Sequence, residues 1–198
     1  MQGPRRQGLR QQPDVTRALI VDVAEQLLRE RPYRELSVDE VMRPTGYRRT
    51  VFYRHFAGLP ELVLAVLDRV GPELLEINAE VAEAARREVT PEETRERYGR
   101  VVDYWRRNGR LLRAISDAAV YDRDIERILA EGRRQHVTLT AQALEARGVG
   151  EDPQQLARVL IAMNERYLLD TFGREPFSAE PRAAVEALSF VWRLTFVR

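Results

Sequence analysis

Apolar side chains recur along most of the chain at intervals of three and four residues. The first clear case lies between residues 15 and 31 and comprises Ile20, Val23, Ala24, Leu27 and Leu28. This spacing places the side chains on one face of an α-helix. We find no run with the two-residue alternation of a half-buried strand, and no internal repeat. The pattern therefore predicts an all-α protein of about nine helices.

Composition excludes several classes of protein. The 198 residues are 44% hydrophobic and 32% charged, as in folded globular proteins. Because there is no cysteine and the only histidines are His55 and His136, we expect no disulfide, no metal site and no cofactor. The sequence contains neither a Gly-x-Ser-x-Gly motif nor a P-loop, which argues against an enzyme. It shows no signal sequence or membrane-spanning run, so we expect a cytoplasmic protein that does not enter a membrane.

Charge is distributed unevenly along the chain. Residues 1–60 contain eleven arginines and seven acidic residues, whereas the whole chain has a net charge of only +1. Residues 1–13 combine Arg5, Arg6 and Arg10 with glycine, proline and glutamine, which predicts a flexible basic arm. Such an arm either enters a DNA minor groove or only solubilises the chain, and the sequence leaves both alternatives open.

Residues 37–56 contain the local signals of two short helices joined by a tight turn. Ser37 and Glu40 are spaced as a capping box, which predicts that a helix begins there. We expect Pro44 to confine that helix to residues up to 43, and Gly46 to form the turn. A further helix is expected from about residue 48 to residue 56. With the helix of residues 15–31, this arrangement predicts a helix-turn-helix unit.

The second of these short helices has two different sides. Phe52 and Phe56 lie one turn apart and are expected to face the core. The candidate DNA-binding residues on the other side are Arg48, Arg49, Thr50, Tyr53, Arg54 and His55. Arginine can donate two hydrogen bonds to guanine O6 and N7, and tyrosine and histidine can donate to phosphate. This side is therefore predicted to contact double-stranded operator DNA.

Residues 37–56 resemble the signature of the TetR family of bacterial repressors. The likeness rests on the capped acidic helix, the glycine turn and the run Phe52-Tyr53-Arg54-His55-Phe56, and it extends over residues 14–70. It implies that Arg49 and Thr50 reach base edges, while Tyr53 and His55 hold phosphates. It also implies a homodimer, because one short recognition helix contacts too few base pairs.

Three positions depart from that family pattern. Arg48 replaces a small helix-capping residue, Val51 stands where a threonine commonly meets phosphate, and Leu59 replaces a frequent lysine. Two phosphate contacts are thereby placed in doubt. Arg48 and Arg54 are candidates to compensate for them.

Beyond residue 60 the sequence predicts a larger helical domain. We place the boundary between a DNA-binding domain of residues 14–60 and an effector-binding and dimerisation domain of residues 61–198. Gly58 and Pro60 precede a long helix, and Asn108-Gly109 is expected to break a later one. The last two helices, near residues 153–172 and 179–197, have broad apolar faces, and the family resemblance implies that they form the dimer interface. These faces include Leu156, Val159, Leu160, Leu168, Val185, Leu188, Val191 and Phe196.

The last forty residues resemble the EthR branch of the TetR family. The resemblance rests on Met163-Asn164-Glu165-Arg166 followed by Phe172, Pro176, Val185, Leu188 and Trp192. It implies a long apolar pocket with Asn164, Trp105 and Trp192 in its wall. Together with the excess of large side chains, it gives a candidate effector site of Tyr104, Trp105, Leu112, Met163, Asn164, Tyr167, Leu168 and Trp192. Ordinary core packing or a dimer interface remains the alternative for most of them.

These observations predict a transcriptional repressor released from DNA by a small apolar or aromatic effector. An all-helical enzyme is the first alternative, and it lacks any recognisable catalytic motif. The second alternative is a helical small-molecule-binding or interaction protein that does not use DNA, which Val51 and Leu59 leave open.

Overall fold

The computed structural model describes residues 13–196, and within them every regular element is helical. The eight α-helices are α1 (Pro13–Glu30), α2 (Val38–Thr45), α3 (Arg49–Phe52), α4 (Leu59–Ala85), α5 (Pro91–Ala119), α6 (Arg123–Ala146), α7 (Pro153–Phe172) and α8 (Pro181–Thr195), and a 3-10 turn covers Tyr33–Glu35. The all-α prediction is confirmed. The predicted basic arm lies outside the described residues, except for Pro13, which begins α1.

The helix break predicted at Asn108-Gly109 is wrong, and this accounts for one helix fewer than expected. Both residues lie inside α5 and are buried. The Asn108 amide donates to the Tyr104 carbonyl at 3.2 Å and accepts from Arg29 at 2.8 Å. A Cβ at position 109 would lie only 2.5 Å from the carbonyl oxygen of Phe172 at the end of α7. Gly109 therefore allows two helices to approach closely.

A first buried cluster joins α1, α2 and α3 to the start of α4. Its members include Ile20, Val41, Phe52, Phe56 and Leu62, each at most 2% exposed. Residues of α5, among them Leu111 and Ile115, belong to the same cluster. Buried residues on both sides of residue 60 belong to this one cluster, so the core is continuous across the predicted domain boundary. The boundary at residue 60 stays a prediction.

The second buried cluster lies between the end of α4 and helices α5 to α8. It includes Ile77, Tyr98, Leu144, Phe172 and Trp192. Local signals start these helices: Thr90 and Glu93 form a reciprocal capping box before α5, and Asp152 accepts from the Gln155 amide before α7. Across residues 13–196, no helix is both long and apolar enough to cross a membrane.

Candidate functional site

Helix α2 is held at its start by a network around Glu40. The Ser37 hydroxyl accepts from the Glu40 amide at 3.3 Å and donates to the Glu40 carboxylate at 2.7 Å. Arg31 donates to the other carboxylate oxygen at 2.6 Å. These bonds, that from Ser37 first, lower the pKa of Glu40. In a reciprocal capping box the Glu40 carboxylate accepts from the backbone N–H of Ser37. Here it accepts from the Ser37 hydroxyl instead, so only half of the predicted capping box forms.

The turn between α2 and α3 depends on a glycine. Helix α2 continues to Thr45 and includes Pro44 in its last turn, so the expected end at residue 43 is wrong. The Thr45 hydroxyl donates to the Met42 carbonyl at 2.7 Å, which satisfies one acceptor of this terminal turn. Gly46 then adopts φ 72°, a left-handed conformation that disfavours residues with a Cβ. This residue redirects the chain toward α3.

Helix α3 is a single short turn fixed by two aromatic anchors. It spans Arg49–Phe52 and is followed by turns, so it is shorter than the predicted helix. The amides of His55 and Phe56 both donate to the Phe52 carbonyl, at 2.9 and 3.0 Å. Phe52 and Phe56 are fully buried with their rings 5.6 Å apart. These anchors determine which side of residues 48–55 faces outward.

The predicted DNA-binding residues lie together on the outward side. Five of them are exposed and His55 is half-buried; the exposed ones are Arg48, Arg49, Thr50, Tyr53 and Arg54. Arg49 donates to the Tyr53 hydroxyl at 2.9 Å and forms an ion pair with Asp39 at 3.3 Å. An exposed pair of this kind contributes only about 0–1 kcal/mol. Arg49 can therefore exchange Asp39 for another acceptor at little cost.

Two residues that depart from the family pattern have packing roles. Val51 and Leu59 are half-buried against the first cluster. Arg48, the third departure, precedes α3 with no side-chain bond to the helix end. Arg48 therefore adds a positive charge to the outward surface, and its side chain does not cap α3.

A small internal cavity lies within the second cluster. It has a volume of about 50 Å³, is partly open to solvent, and is lined by residues from α4 to α8. Its apolar wall includes Leu74, Val81, Val101, Trp105, Leu168 and Trp192, and its polar wall includes Asn78, His136, Thr140, Asn164 and Glu165. The lining of this hollow, mostly apolar with a few polar groups, has the composition of a small-molecule site, but its volume is smaller than the roughly 300–1,000 Å³ of a pocket that holds a drug-sized ligand.

The polar groups of the cavity are linked to its aromatic rings. The Trp192 indole N–H donates to the Asn164 side-chain oxygen at 3.3 Å, so this buried amide is satisfied within the chain. The Tyr98 ring lies 6.0 Å from that of Trp192, and burial raises the pKa of Tyr98. Burial also lowers the pKa of His136 to about 4, so its imidazole is neutral at pH 7.

Comparison with known proteins gives two matches along the chain. The family described as "Bacterial regulatory proteins, tetR family" matches residues 20–66, and "Transcriptional regulator EthR, C-terminal domain" matches residues 94–196, just over half of the chain.

The chain belongs to the TetR family.

Relatives of this TetR-family chain are similar over most of its length. The HTH-type transcriptional regulator EthR of Mycobacterium tuberculosis is 26% identical over 184 residues, which cover 87% of this chain and 83% of EthR. A TetR-like regulator from Rhodococcus sp. RHA1 superposes with a TM-score of 0.65 and 19% identity over 97% of each chain. NalD of Pseudomonas aeruginosa, the secondary repressor of the MexAB-OprM multidrug efflux pump, superposes with a TM-score of 0.60 and 19% sequence identity. The superposition covers 94% of this chain and 99% of NalD. Both structures show the same fold.

TetR-family proteins are DNA-binding transcriptional regulators that act as dimers, and they are not enzymes. This chain joins a TetR helix-turn-helix to a C-terminal domain of the EthR ligand-binding type. The surface of residues 48–55 lies in the first part, and the cavity is lined by the second part together with residues of α4.

Four of the eight predicted effector-site residues line the cavity of this TetR-family chain, namely Trp105, Asn164, Leu168 and Trp192. The other four lie outside its wall. Tyr104 is buried and donates its hydroxyl to the Val70 carbonyl at 2.9 Å. Leu112 and Tyr167 are half-buried against the second cluster, and Met163 is exposed on α7.

Several cavity residues of this TetR-family protein are not among the predicted effector-site residues, including Tyr98, Val101, His136 and Thr140. Tyr98 precedes Trp105 by seven residues and Val101 by three, so helical spacing alone could have placed it on the same face. His136 and Thr140 are likewise one turn apart on α6. No local signal in the sequence indicates that α6 packs against α4 and α7.

Proposed function

We propose that this TetR-family protein is a repressor that binds operator DNA through the surface of residues 48–55. We further propose that a small, largely apolar effector bound in the C-terminal domain releases it. The observation that carries the DNA-binding part is the orientation of α3. Phe52 and Phe56 anchor one side in the core, while Arg49 and Tyr53 project from the other. A short helix supported in this way can enter a major groove with its polar side leading.

Each exposed residue has a proposed role at the DNA. Arg49 and Thr50 contact base edges, and Arg49 exchanges Asp39 for guanine O6 and N7. Tyr53 and His55 donate to phosphate oxygens, which fix the position of the helix without selecting a sequence. Arg48 and Arg54 add charge beside the backbone and replace the contacts that Val51 and Leu59 cannot make.

The test is a titration of DNA from upstream of the protein's own gene, followed by fluorescence anisotropy at several salt concentrations. We expect the logarithm of affinity to fall linearly with the logarithm of salt, with a slope near −0.9 for each phosphate neutralised. Arg49→Ala should weaken binding about 10-fold or more, which corresponds to the ~1–3 kcal/mol of a bidentate guanine contact. If binding to DNA is absent or does not depend on salt, the alternative is favoured, namely a helical small-molecule-binding or interaction protein that does not use DNA.

Arg106→Ala is the matched control for this titration. Arg106 is also exposed and also pairs with one carboxylate, that of Asp103 at 3.3 Å, but it lies on α5. Its loss should leave DNA affinity unchanged. Equal weakening by the Arg106→Ala and Arg49→Ala changes would indicate a general charge effect instead of a contact by α3.

The proposed effector site is the cavity around Asn164. Trp105, Leu168 and Trp192 supply apolar surface, and Asn164 and His136 supply the polar groups that orient a ligand. The cavity joins α4, which continues from the DNA-binding part, to α7 and α8. A ligand that binds more tightly to a conformer unsuited to DNA shifts the protein toward that conformer and so lowers its affinity for DNA. By thermodynamic linkage, DNA lowers the affinity for the ligand by the same factor.

The proposed dimer interface is the outer side of α7 and α8. The structure buries Leu160, Leu168 and Leu188 in the chain's own second cluster, so these predicted face residues are not available to a partner. Four other apolar side chains remain exposed. Val159 and Met163 lie one turn apart on α7, and Phe190 and Leu194 lie one turn apart on α8.

Substitution with glutamate tests the interface. Val159→Glu should shift the protein from dimer to monomer in sedimentation velocity, because it places a charge in the proposed contact. Val120→Glu is the control, since Val120 is also strongly exposed but lies beyond the end of α5. A dimer that survives Val159→Glu and a matching Phe190→Glu change would place the interface elsewhere.

A further inference from the structure

Asp39 is an acidic residue beside the surface that is proposed to contact DNA. It lies in the first turn of α2, and its side chain is 69% exposed. Its two carboxylate oxygens lie 3.3 and 3.5 Å from one terminal nitrogen of Arg49, whose other terminal nitrogen donates to the Tyr53 hydroxyl at 2.9 Å. A residue of α2 therefore lies next to the side chain that is proposed to contact guanine.

The Asp39 carboxylate is directed toward α3 and is only loosely held. Arg43 is exposed and lies one helical turn after Asp39, a spacing at which an acid and a base commonly pair. Within residues 13–196, however, Asp39 forms an ion pair with Arg49 alone. Glu40 differs, because its carboxylate accepts two hydrogen bonds within the chain, at 2.6 and 2.7 Å. The Glu40 carboxylate thus stabilises the start of α2, whereas that of Asp39 can accept from another donor.

A carboxylate on a DNA-binding surface lowers affinity unless the DNA supplies a donor. When Arg49 leaves Asp39 for guanine, the carboxylate loses its partner and lies near negatively charged phosphates. Phosphate and the major-groove edge of guanine offer only acceptors, whereas the N4 amino group of cytosine is a donor. Adenine also has an amino donor, but the N7 acceptor beside it repels a carboxylate. Cytosine is therefore the base that suits Asp39.

We propose that Asp39 is a second specificity-determining residue, whose carboxylate accepts a hydrogen bond from cytosine N4. This inference rests on the proposed function, and it extends base recognition from α3 to α2. The 3.3 Å between the Asp39 and Arg49 side chains is close to the ~3.4 Å between successive bases of a strand. The cytosine therefore lies in the base pair next to the guanine that Arg49 contacts.

The test compares the sites that the wild-type, Asp39→Ala and Asp39→Asn proteins select from a random DNA pool. Affinities are then measured on duplexes that differ at one base pair. Wild type should prefer cytosine next to the guanine in each half-site by about 10-fold, as for one mismatched base pair. Asp39→Ala should lose this preference and keep that for guanine. Asp39→Asn should prefer adenine at the same position, because asparagine can bond adenine N6 and N7 together.

Asp103→Asn is the matched control for these variants. Asp103 is also exposed and also pairs with one arginine at 3.3 Å, but it lies on α5. Its change should leave the selected site as in wild type. Base preference is the readout instead of total affinity, because the loss of any carboxylate near the phosphates strengthens binding to every sequence.

Two results would overturn the proposal while the proposed function stands. In the first, wild type selects a site and both Asp39 variants select the same bases. In the second, Asp39→Ala loses only the guanine preference, which would mean that Asp39 does no more than orient Arg49. If wild type selects no sequence at all, the proposed function and this inference fail together. A melting curve by circular dichroism checks that each variant is folded.

Discussion

Replacing Gly109 with alanine tests the close packing of α5 on α7. The added Cβ would lie 2.5 Å from the Phe172 carbonyl oxygen and 2.7 Å from its carbonyl carbon. These are backbone atoms, so the clash is relieved only by separating the helices. Overpacking of this kind costs about 1–3 kcal/mol. Alanine also gains about 1 kcal/mol over glycine inside a helix, which offsets part of the loss.

Gly99→Ala provides the reference for this change. Gly99 lies in the same helix, and no atom lies within 4 Å of where its Cβ would be. This variant should be more stable than the parent by about 0.5–1 kcal/mol. The Gly109→Ala protein should therefore be less stable than the Gly99→Ala protein by about 1–3 kcal/mol.

Urea unfolding followed by circular dichroism measures the difference, at one fixed protein concentration because a dimer unfolds in a concentration-dependent way. The midpoints should separate while the slope of free energy against urea stays constant. Equal stabilisation by the two alanines would refute the close approach of α7 to α5.

Three further changes test other parts of the structure. Gly46→Ala should destabilise the protein by about 1–2 kcal/mol in urea unfolding, because a residue with a Cβ must adopt the left-handed conformation there, and no loss would contradict the turn. Trp192→Phe removes the hydrogen bond to Asn164 and should cost about 1–3 kcal/mol in the same assay; an unchanged midpoint would show that the bond contributes nothing. His136 has a pKa of about 4 when folded and an ordinary value of 6.5, so the unfolded chain binds its proton first. Its stabilising contribution is present above pH 6.5 and is lost as pH falls to about 4, by up to about 3 kcal/mol. The gap in unfolding free energy between wild type and His136→Gln should change by that amount over this range, and a constant gap would contradict the burial.

The helix-turn-helix is the part that sequence predicts best, because its signals are local. Ser37 caps α2, Gly46 makes the turn, and Phe52 and Phe56 are spaced to anchor one side of residues 48–56. Each of these choices involves residues fewer than about five positions apart, so no knowledge of distant contacts is needed. The extent of α2 and α3 still differs from expectation by a few residues, as is usual at helix ends.

Gly109 shows why the larger domain is harder to predict. A glycine after an asparagine is a common end for a helix, and local rules favour a break there. The actual role of Gly109 depends on Phe172, which is distant in sequence and packs against it. Helix α5 continues because tertiary packing outweighs the weak local preference.

The lining of the cavity around Asn164 was predicted only in part for a similar reason. Asn164 and Trp192 carry a recognisable pattern, and the structure joins them by a hydrogen bond. Tyr98 and His136 enter the same cavity from α5 and α6, and their contribution depends on how helices cross. Helical periodicity tells which residues share a face, but it does not tell which faces meet.

We expect the outward side of residues 48–55 to select the DNA sequence. Selection of binding sites from a random DNA pool tests it most directly, with wild type and Arg49→Ala compared in parallel. Wild type should select a two-fold symmetric site, and Arg49→Ala should lose the preference for guanine at one position in each half-site, by ~1–3 kcal/mol. An unchanged preference in the Arg49→Ala protein, or no selected sequence for wild type, would contradict it.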